Sequence, residues 1–467
     1  MKSNEKRLLN DTIIFAIGNL GSKIIQFLLV PLYTYSMTTE EFGVSDLLLT
    51  TVSILMPIFS FSVADGLLRF GLDDDEKKEN VLKNSVLIAF VGSVVSLACI
   101  PVFLQISFIG KWAILLVIIL NLRVYQDIFT TYLKVCNRNK LYAASSMIFT
   151  FTLCMCNVFF LTNLHLGIVG YLYSYIVASA VTLLYALITI RIPYVFRNGS
   201  SKKEDMKRIL LYSLPLIVNA LSGWIITASD RFMIEFFLDK NDLGIYSVAT
   251  KMPSFIITFS SVFLQAWTIS AIIEQKSEDN KKFYSDIYKK YLFVVLLGIS
   301  LLTSVIQPFM KIYVSASFFE AWRYVPLLLS SVIYMSLINY YSGIYIAYKK
   351  NVNITLTILV GALINILLNA LLIPVLKING AVIATFISWV MVYIFRTYDI
   401  KKICDFKEKD YREILFFVLN VVQCFLVIYM PFKVSIIFSV GIILLMIFSF
   451  KSYFIFVYKS IISKIRR

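Results

Sequence analysis

The chain has 467 residues, 59% of them hydrophobic and only 15% charged, with a mean hydropathy of +0.80. A water-soluble globule needs far more polar surface, so composition excludes a soluble enzyme or binding domain and points to a chain that crosses a bilayer many times. The formal charge of +16 would raise the question of nucleic acid in a soluble protein; here its distribution along the chain reads as membrane topology.

Apolar stretches of about 20 residues, enough to cross roughly 30 Å of hydrocarbon, recur throughout. They predict an all-α integral membrane protein of about fourteen helices, near 11–33, 44–67, 83–105, 112–131, 142–163, 167–190, 209–229, 244–272, 291–308, 325–347, 354–376, 379–398, 414–431 and 434–456. The first stretch is too long for a signal-peptide core and has no small-residue cleavage site, so it is expected to be retained as a span, with the mature chain starting at Met1. If the N-terminus is cytoplasmic, 34 of the 44 Lys and Arg fall on inner segments, 7 on outer ones, and 3 (Lys23, Arg123 and Lys251) inside spans. That imbalance predicts both termini in the cytoplasm and no nucleic-acid partner.

None of the six cysteines falls in an outer loop, so a disulfide framework is not expected. A single histidine, His165, leaves little material for a zinc site, and Cys154-x-Cys156 reads as two small span residues. Outer loops, the largest around 230–243 and 309–322, are too short to fold alone. The inner segments "RNGSSKKEDMKR" and "EQKSEDNKKFYSDIYKK" read as polar connectors and amphipathic helix extensions. The acidic run "DDDEKKE" at 73–79 reads as a solvated loop, because three consecutive aspartates cannot share one helix face.

An internal repeat is visible. "TTEEFGVSDLL" at 38–48 aligns with "DKNDLGIYSVA" at 239–249, setting Gly43 beside Gly244, and "GIVGYLYSYIVAS" at 167–179 aligns with "KINGAVIATFISW" at 377–389, setting Gly170 beside Gly380. Six spans separate the repeat starts, an even number, so the two halves keep one orientation and are expected to be related by a pseudo-two-fold along the membrane normal. The expected division is an N-lobe over 1–200 (spans 1–6), a C-lobe over 201–408 (spans 7–12), and spans 13–14 with a cytoplasmic tail over 409–467.

The three cations at depth carry the functional expectation. A lysine at a helix centre costs about 2.5–3.5 kcal/mol on the translocon scale, so it belongs against protein or a wet cavity. Lys23 shares a polar face with Asn19 and Gln26; its alternatives are structural pairing with a carboxylate or anion binding in a central cavity. Arg123 stands among Asn121, Gln126 and Asp127, and an intrahelical pair with Asp127 at i+4 is the structural alternative. Lys251 precedes Pro253, which invites a kink. Asp65 and Arg69 share a face at i, i+4 near an inner helix end, where Arg69 can snorkel. Asp230 and Arg231 are expected in interfacial pairing and gating contacts. Asn365 and Asn369, at i, i+4, suit hydrogen bonds across helices or a coupling cation. Cations outnumber carboxylates at depth, so a water-lined chamber between two lobes is expected to be positive and to suit phosphate or pyrophosphate. No nucleotide-binding loop, triad or metal cluster is visible, so no cofactor is expected.

Five stretches resemble the polysaccharide-export branch of the multidrug/oligosaccharidyl-lipid/polysaccharide exporter superfamily, the Wzx-like flippases of O-antigen, capsule or exopolysaccharide repeat units. They are "TTEEFG" at 38–43, "GLLRFG" at 66–71, "SLPLIVNALSGWIITASDRFMI" at 213–234, "LGIYS" at 243–247 and "NILLNALLIPVLKINGAVIAT" at 365–385. One departure is Lys377, where similar proteins often carry glycine. The resemblance implies a V-shaped pair of six-helix lobes in a bacterial plasma membrane that moves an undecaprenyl-pyrophosphate-linked oligosaccharide outward by alternating access. It also implies cavity cations, matched here to Lys23 and Arg123 and then to Lys251 and Arg69, coupling to Na⁺, H⁺ or membrane potential, and polysaccharide polymerase and glycosyltransferases as pathway partners. The competing classes are a small-molecule or drug exporter of the same superfamily, which would more often hold acidic cavity residues, and a membrane polymerase or glycosyltransferase, which would need a substantial outer loop.

Overall fold

The computed structural model describes residues 21, 23–73, 75–406 and 411–451, with side chains left undescribed at 219, 222, 223 and 225–227. Among the described residues every regular element is helical. This is what a bilayer demands, because a helix satisfies its own backbone groups where no water can.

Helix α1 covers 23–36 and is followed by α2 (Thr39–Phe59), α3 (Val63–Gly71), α4 (Lys78–Ala98), α5 (Ile100–Phe103), α6 (Ala113–Val135), α7 (Asn139–Asn157), α8 (Gly167–Ile190), α9 (Ile192–Asn198) and α10 (Lys203–Phe237). Then come α11 (Lys240–Ala249), α12 (Lys251–Glu274), α13 (Asn280–Tyr313), α14 (Val325–Ala347), α15 (Asn351–Leu376), α16 (Ile378–Ile403), α17 (Tyr411–Tyr429) and α18 (Phe432–Ser449). Among the described residues, twelve helical stretches are long and apolar enough to cross a membrane. Of the fourteen expected spans, the first lies partly outside the described residues and the seventh lies within α10, which is not among the twelve.

Packing divides the chain into one unit of 1–235 with 239–244 and a second of 236–238 with 245–467. In the first, the "TTEE" stretch makes a capping box: Thr38 accepts from the Glu41 amide at 3.2 Å, and Glu41 accepts from the Thr38 amide at 3.0 Å. Two donors that the helix start would orphan are thereby satisfied.

The second expected span is not one helix. Phe61 and Ser62 take left-handed backbone angles (φ 54° and 50°), which end α2 after Pro57 and start α3 in a new direction. Gly92 of α4 lets the break pack closely, since a Cβ there would lie 1.7 Å from the Phe59 carbonyl oxygen. The eighth expected span is interrupted as well, with Thr250 separating α11 from α12 and Pro253 buried in the first turn of α12.

The two pairs of repeat-aligned glycines explain themselves in packing terms. A Cβ on Gly43 would lie 2.6 Å from the Gly244 amide nitrogen, and one on Gly244 would lie 2.0 Å from the Thr39 carbonyl, so the aligned stretches touch each other backbone to backbone. Gly170 and Gly380 each let the start of a helix lie against the end of the one before, α8 on the preceding π-helical turn and α16 on α15.

The second unit is built around α14, whose central window is 78% buried. An aromatic stack runs through it: Trp267 lies on Tyr340 at 4.1 Å, and Tyr288, Tyr341 and Tyr393 stack in near-parallel planes. Large apolar side chains such as Leu363, Leu367, Leu371 and Ile437 are more than 60% exposed on outer faces, as lipid-facing residues should be.

Candidate functional site

In the first unit α6 carries a polar ladder. At 3.6 residues per turn, Asp127 and Lys134 fall within about 40° of Arg123 around the helix, so the three share one stripe from mid-helix to its C-terminal end. Arg123 does not make the intrahelical pair with Asp127 that is its structural alternative. Among the described residues it has no carboxylate within ion-pair distance, and its guanidinium lies over the Phe149 ring of α7, 5.2 Å from the centroid. Tyr175 of α8 is within its electrostatic reach. A half-buried arginine on an aromatic face keeps most of its N–H donors available.

Asp127 is half-buried in the fields of Lys134, Arg123 and Asp65. Asp65 is exposed, two residues into α3 after the break, and Lys134 caps the ladder over Tyr142 at 4.0 Å. The break is thus what brings Asp65 toward α6. Beside the ladder the Oε1 of Gln126 is buried with no hydrogen-bond partner among the described residues.

Arg69 is not part of this group. It pairs with Asp73 at 2.5 Å, i to i+4, on the exposed end of α3, and not with Asp65. The neighbouring acidic residue Glu76 pairs with Arg208. The "DDDEKKE" run therefore ties helix ends together on the basic face.

Lys23 is exposed on α1, and its expected neighbour Asn19 lies outside the described residues. Val30 and Thr34, within about 20° of Lys23 around the helix, are each only 2% exposed. Lys23 itself is exposed at the N-terminal end of the stripe that these two residues bury. Gln26 is half-buried on the same helix.

The remaining expected residues lie elsewhere. Arg231 pairs with Asp46 of α2 at 2.7 Å, with both side chains nearly buried at 13% and 10%, and Asp230 is buried beside it. Lys251 is half-buried at the first position of α12. Asn369 donates to Asn365 at 3.1 Å along α15, and both are fully buried.

Sequence reasoning missed two buried charges in the second unit. Arg396, counted above among inner-segment cations, is fully buried in α16; it donates to the carbonyls of Ile338 and Ile354 and to the hydroxyls of Ser342 and Thr357. Glu413 is buried near the start of α17 and accepts from Tyr288 at 2.7 Å and from Tyr393. No metal-holding group of three or more His, Cys, Asp or Glu occurs among the described residues, and all six cysteines are free thiols.

A model of the family described as "Polysaccharide biosynthesis protein" matches residues 8–269. The chain belongs to that family. A Haemophilus influenzae protein named for the Lsg locus is 23% identical over 306 residues, 62% of this chain and 72% of the relative. Among solved structures, the lipid II flippase MurJ in an inward closed conformation aligns with a TM-score of 0.69 at 14% identity, covering 95% of this chain and all of MurJ. An inward-facing multidrug resistance transporter of the MATE family gives 0.68 at 14% identity over 83% and 98% of the two chains. A Pyrococcus furiosus transporter of the same superfamily, described by the reverse polarity of its binding pocket, gives 0.60 over 85% and 96%. The polysaccharide biosynthesis protein thus shares the all-helical fold of these flippase and exporter structures.

Proposed function

We propose that this polysaccharide biosynthesis protein is a flippase that moves undecaprenyl-pyrophosphate-linked oligosaccharide repeat units from the cytoplasmic to the outer leaflet of a bacterial plasma membrane by alternating access, with 1–200 and 201–408 as the two moving lobes. The observation that carries the reading is Arg123, a guanidinium in the middle of a membrane-spanning helix with no ion pair among the described residues. A charge kept there at a cost of about 2.5–3.5 kcal/mol needs a ligand to justify it. A pyrophosphate supplies one, because a guanidinium binds phosphate oxygens bidentately and more strongly in a low dielectric.

The roles follow by position. Arg123 and Lys23 hold the pyrophosphate, Lys251 is a further cation assigned to cargo, and Arg69 acts at the inner entrance through its exposed pair with Asp73. Gln26 and Asp127 line the polar path, to which sequence spacing alone assigns Asn19, outside the described residues. Asp65 and Asp127, close enough to feel each other's charge, respond to a coupling Na⁺ or H⁺, while Asp230, Arg231, Asn365 and Asn369 serve gating or ion coupling. Polymerase and glycosyltransferases act before and after it on the same lipid-linked unit.

The test is genetic. Cells lacking the protein are complemented with wild type, Lys23→Ala or Arg123→Ala at equal membrane abundance, and the lipid-linked oligosaccharide on the inner leaflet is quantified. Wild type should clear the intermediate and restore surface polysaccharide, and the two variants should leave it trapped. Clearance by all three would remove the cations from the mechanism; no effect of wild type would remove the cargo.

A further inference from the structure

Apart from the ladder, the first unit contains a cavity of about 250 Å³ on the face where its basic connectors lie. Its walls come from the start of α4 (Glu79), the end of α6 and the turn after it (Tyr132, Leu133, Cys136, Arg138), the end of α8 (Thr189, Ile190, Arg191) and α9 (Tyr194, Val195). We propose that this cavity is a binding site for a phosphate-bearing anion, presented either by an inner-leaflet phospholipid head group or by a soluble phosphorylated ligand. The site does not depend on the transport reading, since none of the residues assigned to cargo lines it.

The rim and the floor differ in chemistry. Arg138, Arg191 and Tyr194 are exposed at the rim, whereas Leu133, Val195, Tyr132 and Ile190 are 0%, 3%, 4% and 7% exposed. Left-handed turns set both guanidiniums: Asn137 (φ 56°) precedes Arg138, and Arg191 itself has φ 58°. Arg138 is steadied further by donating from Nη1 to the Thr189 carbonyl at 3.1 Å. Among the described residues neither arginine is in an ion pair, which leaves two forked donors facing one space. The one carboxylate in the wall, Glu79, is outnumbered, and the charge of Lys78 also reaches the Cys136 position. Lys83 fixes the fourth wall by donating to the Phe196 and Gly199 carbonyls at 3.3 and 2.9 Å.

Forked guanidiniums match phosphate oxygens two at a time, and basic pockets between helix ends on the cytoplasmic side are where anionic head groups bind. The volume is just below the roughly 300–1,000 Å³ of drug-sized sites. It fits a phosphate head group and is too small for an oligosaccharide chain.

Cys136, half-buried in the wall, is a built-in reporter. In full-length protein with the other five cysteines replaced, its labelling by a small maleimide is followed at alkaline pH, because burial pushes this thiol up. Phosphatidylglycerol in the micelles should slow labelling relative to phosphatidylcholine by about tenfold, the effect of one charge-assisted hydrogen bond; protection by inorganic phosphate alone would identify a soluble ligand as the source. Arg138→Gln with Arg191→Gln should abolish protection, Arg138→Lys with Arg191→Lys should keep part of it, and Glu79→Gln should strengthen it. Native mass spectrometry of the wild-type chain, with every cysteine in place, should show retained phosphatidylglycerol, or bound phosphate if the ligand is soluble, that the double Gln variant loses. Equal labelling under all conditions, or full protection in a folded double Gln variant, would overturn the proposal.

Discussion

Lys377 illustrates how one residue reveals a local requirement. It takes φ 53° and ψ −135° between α15 and α16, a region that L side chains enter at a cost of about 1–3 kcal/mol. The glycine expected there from the family resemblance is therefore explained by backbone geometry. Lys377→Gly should raise stability by about 1 kcal/mol, read as a higher midpoint in thermal unfolding of the detergent-solubilised protein; a lower midpoint would show that the lysine side chain earns its place. Arg231 and Asp46 make the opposite case. With both side chains nearly buried, Arg231→Ala alone should cost about 3–5 kcal/mol, because it removes one partner of a nearly buried ion pair. Replacing both by leucine and methionine of similar bulk should cost much less, and additive losses in that double-mutant cycle would argue against coupling. The sequence put Arg231 in an interfacial contact but could not name Asp46, 185 positions away, because only folding brings that carboxylate to it.

At the scale of elements, glycine placement distinguishes close packing from mere composition. Gly244→Ala would drive a methyl into the Thr39 carbonyl, whereas Gly298→Ala in α13 meets nothing within 4 Å. The first should lower the unfolding midpoint and impair activity, and the second should be neutral or stabilise by about 0.5–1 kcal/mol; equal effects would mean that the α2–α11 approach is not tight. Hydropathy located the spans well because lipid forces every one of them to be apolar and helical. It missed the interruption after Pro57 because Phe61 and Ser62 are unremarkable residues in left-handed conformations, a choice made by tertiary packing over Gly92. The charge count assigned Arg396, near the inner end of the expected span 379–398, to an inner segment, since a basic residue near a span end normally snorkels. The clue available was the run of hydroxyl and amide residues, Ser342, Asn353 and Thr357, on the helices that pack against α16.

For the whole molecule, the sequence charge gave a short list of deep cations, but their surroundings were not legible. Arg123 and Asp127 are neighbours at i+4, and sequence spacing alone leaves a pair between them as one of two open readings. The structure turns the guanidinium to Phe149 instead, leaving its donors for a ligand. Transport of an anionic head group is the central claim that this arrangement supports. The most direct measurement reconstitutes the purified protein in vesicles bearing a fluorescent pyrophosphate-linked oligosaccharide lipid and follows, with an impermeant quencher, its passage between leaflets. Wild type should move the lipid well above protein-free vesicles, Arg123→Ala should be slower by about tenfold or more, and Arg123→Lys should retain part of the rate. A wild-type rate no faster than protein-free vesicles, or an Arg123→Ala rate equal to wild type, would contradict the account.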